Sequence, residues 1–250
     1  MENPDDAKMP FTAHLEELRA RIVRIAVAIG IGFLVSYGFK DWLFKVLTKP
    51  LADVMPAESF MIYTALPEAF FIYMKLALFA SIFLTSPFCL YQIWKFISPG
   101  LHSREKRYVV PFVLASSSLF IGGVLFGYFI VLPPAFRFFV SFSSDFLKPM
   151  FSLKEYLSIS LKFLLGFGAS FQLPVFLFFM TKIGIVNSRI LAKQRRYAIL
   201  AIFIVAAILT PSPDAITQIL MALPLIVLYE IGIVVARLAE RKPAPADEDA

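Results

Sequence analysis

Pro99–Pro111 reads PGLHSREKRYVVP, a short polar island between two long apolar segments, Phe70–Ile97 and Tyr108–Leu132. Lys95, Arg104, Lys106 and Arg107 cluster there, with one acid, Glu105, set among the bases. Short loops dense in Lys and Arg stay on the cytoplasmic side of a bilayer, so this loop orients both of its neighbours. A lone carboxylate amid bases is either a local ion-pair partner or a receptor for a cation arriving from elsewhere.

Outward from that island, the chain is too apolar for a soluble domain. Of its 250 residues, 59% are hydrophobic and only 17% charged, with a mean hydropathy of +0.76, so it cannot cover an exterior with polar surface. The apolar runs are long enough for the roughly 30 Å hydrocarbon layer, which takes about 20 residues per helix. The fold class is therefore an all-α polytopic membrane protein. Its net charge of +6 is a topology signal and not a nucleic-acid footprint, because the bases lie in loops beside spans. Cys89 is the one cysteine, so no intrachain disulfide can form.

Six transmembrane helices are expected, at about 22–39, 70–97, 108–132, 156–183, 197–209 and 216–235. They form one membrane domain over 1–240, and 241–250 is a polar, Pro-rich, disordered cytoplasmic tail. No basic n-region precedes the first apolar run, which argues against a removable signal peptide. Thr12 can cap a helix whose stripe Phe11, Leu15, Leu18 and Ile22 lies in the interface before the chain turns into the bilayer. His14, Glu17, Arg21 and Arg24 share the opposite face, where Glu17 and Arg21 suit an ordinary i,i+4 pair.

The segment from Lys40 to Pro67 falls outside, where Pro50 and Pro56 break any continuous helix and leave a semi-ordered outer-face cap. A bend is expected near Pro87, and the third span ends at Pro133–Pro134. Gln172, directly before Leu173–Pro174, puts an amide at mid-depth beside a helix breaker, which points to a cavity or to a helix contact. The run 197–209 is short, and the tight turn after it keeps both basic flanks on one side. Sixteen of the 24 Lys and Arg then lie in inner segments, which places both termini in the cytoplasm.

Catalysis finds little to work with. His14 and His102 stand outside any HExxH or Cys/His cluster, and no span offers a serine with a base, an Asp pair or a metal site. No cofactor or metal is called for. Solute transport has only Lys75, Lys162 and Glu230 as ionisable candidates, each near enough to a span end to snorkel or pair there. Glu17, with Glu16 beside it, and Glu105 stand out instead, because cytoplasmic carboxylates suit recognition of a basic peptide.

A family resemblance covers nearly the whole chain. His14-Leu15-Glu16-Glu17-Leu18-Arg19-Ala20-Arg21, Lys49-Pro50-Leu51 and Tyr91-Gln92-Ile93-Trp94-Lys95-Phe96-Ile97-Ser98-Pro99-Gly100-Leu101 leading into Arg104-Glu105-Lys106-Arg107 carry it. So do Phe171-Gln172-Leu173-Pro174, Thr210-Pro211 with Asp214, and Tyr229-Glu230-Ile231-Gly232. In this order they resemble TatC, the multispan subunit of the twin-arginine protein translocase. The resemblance implies a signal-peptide receptor of a folded-protein export system in the cell inner membrane, driven by the proton-motive force. It implies that Glu17 and Glu105 bind the paired arginines, that Arg19 and Phe96 belong to the same surface, and that Pro50 and Asp214 matter on the outer side. Single-span TatA-like and TatB-like subunits, self-association and the lipid bilayer are the implied partners, with no nucleic acid. Many members carry a glutamate where this chain has Gln172, so no charged mid-membrane role carries over. The alternative from the residues alone is a small secondary transporter with a polar cavity around Gln172.

Overall fold

The structure, a computed structural model, describes residues 11–56, 59–97, 109–144, 150–210 and 214–240. The readings placed on Glu105 and its loop, on Pro211 and on the tail 241–250 lie outside these residues. The chain divides into two compact units, the first made of 1–52, 60–118 and 150–157 and the second of 53–59, 119–149 and 158–250.

In the first unit, α1 (Phe11–Gly38) is one unbroken helix, so the interfacial turn expected after Ile22 is absent and Thr12 lies inside the helix. No Gly or Pro interrupts residues 11–29, which leaves nothing to break it there. α2 (Lys40–Ala52) follows after a bend of 82°. Here the expected semi-ordered cap is corrected, because Pro50 sits in the last turn of α2 and does not prevent the helix from forming. Leu47, Thr48, Pro50 and Leu51 form its buried side, while Trp42, Lys45 and Lys49 are exposed.

α3 (Glu68–Ile97) continues through Pro87. Proline cannot donate to the carbonyl four residues back, that of Phe83, and the Ser86 hydroxyl donates to it instead at 2.8 Å. α1 packs along α3 through small residues. A Cβ at Gly32 would come within 2.9 Å of Thr85 Cγ2, so glycine is what permits the close approach. Ser81 and Thr85 spend their hydroxyls on carbonyls of their own helix, so at Gly32 the two helices meet by packing alone.

On the far side of the unit, β1 (Met61–Ile62) pairs in parallel with β2 (Phe151–Ser152). The Glu68 carboxylate accepts the Thr64 and Ala65 amides at 2.9 and 3.3 Å, and the Tyr156 hydroxyl donates to the Leu47 carbonyl at 2.5 Å. These bonds order the segment that the sequence leaves irregular.

α4 (Val109–Phe126) leads through a π-helical turn at Gly127–Val131 into α5 (Leu132–Val140). The span expected to end at Pro133–Pro134 therefore runs on to Val140. Both prolines fall in the first turn of α5, where a missing N–H is least felt. α6 (Leu153–Ser170), whose residues 158–170 lie in the second unit, and α7 (Leu173–Lys182) make one broken span, with Gln172 at the α7 N-cap and Pro174 behind it. A Cβ at Gly123 of α4 would meet the Phe167 carbonyl of α6 at 2.6 Å, so these two helices touch backbone to backbone. α8 (Ser188–Lys193), α9 (Arg195–Leu209) and α10 (Ala215–Ala239) complete the unit. The Tyr229 hydroxyl ties α10 to α8 at the Leu191 carbonyl, 2.8 Å away, and Gln218 ties α10 to the Phe203 carbonyl of α9 at 3.1 Å.

Glu68–Ile97, Val110–Val140, Leu153–Lys182 and Ala215–Ala239 are each long and apolar enough to cross a membrane, and α1 with α2 makes a fifth such stretch. The sixth is α9, whose 15 residues give about 22 Å and fall short of an average bilayer. Apolar side chains such as Leu34, Phe129, Ile208 and Leu238 are 67–80% accessible, an exposure that suits lipid contact in this polytopic all-α protein.

Candidate functional site

His14, Glu17 and Arg21 recur at three and four residues and so lie on one face of α1, while Gln92 and Phe96 share a face of α3. The helix packing brings these two faces together. The His14 and Phe96 rings stack with centroids 4.4 Å apart and planes 16° from parallel. Beneath them Arg21 is only 6% exposed and Gln92 5%.

A guanidinium at that depth requires partners, since burying an unpaired charge is prohibitive. Arg21 donates from Nε to Glu17 Oε1 at 3.1 Å, from Nη2 to the same oxygen, and from Nη1 to Gln92 Oε1 at 3.2 Å. The expected Glu17–Arg21 pair is thus present, with a third member that the sequence reading did not single out. Gln92 was legible as a polar residue close to the end of an apolar run, where an amide must find a partner, but nothing in the spacing named Arg21 as that partner. Glu17 Oε2 is buried and has no hydrogen-bond partner among the described residues.

Of the other expected residues, Arg19 is exposed and lies about 200° around α1 from Glu17, so the helix does not bring the two together. Pro50 is buried in the last turn of α2. Asp214 is the N-cap of α10, accepting the Thr217 amide at 2.7 Å as well as the Thr217 hydroxyl. Glu230 pairs with Arg195 at 2.7 Å with both side chains nearly half exposed. Gln172 is half-buried on the wall of a groove of about 610 Å³ between α6–α7, α9 and α10. Ser170 and Tyr229 are the other polar side chains on that wall, and the Tyr229 hydroxyl is already engaged with Leu191. At the start of α8, Asn187 caps the helix and Glu240 accepts the Ser188 amide. Those bonds, the Ser188 amide first and its hydroxyl second, hold the Glu240 carboxyl below the usual carboxylate range.

Residues 13–224 match the family model described as Sec-independent protein translocase protein (TatC). The TatC protein of Desulforapulum autotrophicum is 49% identical over 246 residues, covering 98% of this chain and 91% of the relative. That of Magnetococcus marinus is 41% identical over 239 residues, covering 96% and 88%. Two crystal structures of the twin-arginine translocase receptor TatC, one of them in DDM, superpose with TM-scores of 0.81 and 0.82. They are 39% and 38% identical to this chain, which they cover over 91% and 89% of its length, and nearly all of each solved chain is matched. On that evidence the chain belongs to the TatC family of Sec-independent protein translocase proteins.

Proposed function

We propose that this chain is the signal-peptide receptor and multispan core of a twin-arginine export translocase, with Glu17 and Glu105 receiving the paired arginines of the peptide. The observation that carries the reading is the joint between α1 and α3. A carboxylate with one oxygen outside the local hydrogen bonding lies beneath a stacked aromatic pair, at the end of α3 that leads into the Arg104–Arg107 loop. A carboxylate suits guanidinium over ammonium because a planar fork can engage both of its oxygens. Phe96 supplies the ring that walls this joint, and Arg19, on the exposed side of α1, belongs to the surrounding surface.

Residues 1–240 act as one membrane domain of the cell inner membrane, with both termini cytoplasmic. Sixteen of the 24 bases in inner segments support that orientation. Pro50 and Asp214 then order the outer side. TatA-like and TatB-like single-span subunits and further copies of the chain are its partners, and the proton-motive force drives transport without catalytic chemistry in this subunit. A small secondary transporter built around Gln172 has less behind it: the family is a protein translocase, and the groove beside Gln172 is walled chiefly by Ala, Leu, Ile, Val and Phe.

The test is photocrosslinking from position 105 to a twin-arginine peptide and to a twin-lysine control, together with Glu105→Ala. Losing one partner of a desolvated charged pair costs roughly 2–5 kcal/mol, so Glu105→Ala should weaken the twin-arginine peptide at least about tenfold and flatten its preference over lysine. Unchanged affinity and preference would place the receptor site elsewhere.

A further inference from the structure

The receptor carboxylate is already occupied. Arg21 gives two N–H groups to Glu17 Oε1, and Glu17 Oε2 is closed off from solvent with no partner among the described residues. A guanidinium arriving from outside finds no exposed, vacant pair of oxygens, yet a fork needs both. Arg21 also has a second anchor, because its Nη1 bonds Gln92 Oε1 across the helix joint. Gln92 is neutral and almost fully buried, so it can keep hold of Arg21 without competing electrostatically for the ligand.

We propose that Arg21 is an internal ligand of Glu17, displaced when a peptide arginine binds and retained on Gln92, which makes Gln92 a positioning residue of the receptor site. The inference rests on the reading of Glu17 as a receptor carboxylate and adds how that carboxylate is kept and released. One cation leaves Glu17 as another arrives, so the buried carboxylate is never left bare. The displaced guanidinium keeps a hydrogen-bond acceptor inside the joint. Lysine is the poorer displacer, because its ammonium cannot span both carboxylate oxygens as Arg21 leaves.

The experiment uses the full chain in lipid nanodiscs, a fluorescent twin-arginine peptide and a twin-lysine control. Gln92→Glu gives Arg21 a charged partner other than Glu17 and should draw it off. Binding of the twin-arginine peptide should tighten at least threefold, with a smaller gain for twin-lysine. Gln92→Leu removes the place Arg21 is retained and should weaken the twin-arginine peptide at least threefold. Opposite signs from two substitutions at one position are what a purely structural Gln92 would not produce. Shifts in the same direction, or none, overturn the exchange. An equal gain for both peptides in Gln92→Glu also overturns it, since that is general charge attraction. Gln92→Glu keeps the test open where Gln92→Leu folds poorly. Glu17→Gln separates the two levels. If it leaves both peptides bound as in the unaltered chain, the Glu17 reading itself falls. If it weakens binding while the Gln92 variants fail to diverge, only the exchange falls.

Discussion

Arg21–Glu17 and Arg195–Glu230 join the same two side-chain types in opposite surroundings. In the first pair the side chains are 7% and 24% exposed, and a third group, Gln92, completes the set. In the second they are 48% and 44% exposed. Charges attract in both, but only the buried pair has surrendered its hydration, so removing one member there strands the other in a medium that cannot solvate it. In the exposed pair water takes over for whichever partner is lost. The difference separates a pair within α1 that sets Arg21 for its bond to Gln92 of α3 from an exposed pair between α9 and α10.

The largest effect expected from that contrast is Arg21→Ala. It leaves Glu17 beside Gln92 with no cation and should cost roughly 3–5 kcal/mol, read as a lower midpoint in denaturant unfolding of the detergent-solubilised protein. A loss under about 1 kcal/mol would mean that the joint is wetter than its geometry implies, and the comparison would break.

The two pairs also mark what could be read in advance. Glu17–Arg21 was visible as an i,i+4 spacing, and the apolar runs of about 20 residues gave the spans, because both are local properties of the chain. Gln92 was not tied to Arg21, since they are 71 positions apart and only the packing of α1 on α3 through Gly32 makes them neighbours. Pro50 and Pro133–Pro134 misled for a related reason. Proline excludes a backbone donor, but whether that ends a helix depends on its place in a turn and on what takes up the freed carbonyl. At Pro87 a serine does so, and at Pro133–Pro134 a π-helical turn has already restarted the count. The tie of Tyr156 to Leu47 likewise joins residues 109 positions apart, out of reach of any local pattern.

Between the extremes stands Asp214, half-buried at the start of α10 with the Thr217 amide and hydroxyl on its carboxylate. Asp214→Ala removes an N-cap and should cost about 0.5–2 kcal/mol, with Asp214→Asn recovering most of it. No recovery by Asn would mean that the charge, and not the cap, is what α10 requires.

Glu240 sharpens the comparison from the exposed side. Its carboxyl is held below the usual carboxylate range chiefly by the Ser188 amide, so its contribution is complete above the unfolded-chain value and is lost as pH falls through the lower folded value. The protection factor of the Ser188 amide, its exchange measured against the intrinsic rate at each pH, should therefore be high at neutral pH and fall on acidification. Glu240→Gln should remove that pH step. A step that survives the substitution would belong to another carboxylate.

The smallest effect is expected at Arg195–Glu230, and it has to be measured as a coupling, since either substitution alone also alters the surface. In a double-mutant cycle of Arg195→Gln and Glu230→Gln, the interaction should be below about 1 kcal/mol in low salt. It should fall further as salt shortens the screening length from about 30 Å at 0.01 M to about 3 Å at 1 M. The attachment of α10 to α8 should survive, because it rests on the neighbouring Tyr229 hydroxyl and its bond to the Leu191 carbonyl. Tyr229→Phe should accordingly cost more than Glu230→Gln, about 1 kcal/mol for the lost hydrogen bond, since the Leu191 carbonyl keeps the Gln194 amide as a donor. If the Arg195–Glu230 coupling instead exceeds about 2 kcal/mol and persists in high salt, the pair is shielded from water in the membrane-bound protein. A partner or a lipid headgroup would then cover it, and the two Arg–Glu pairs would no longer differ in kind.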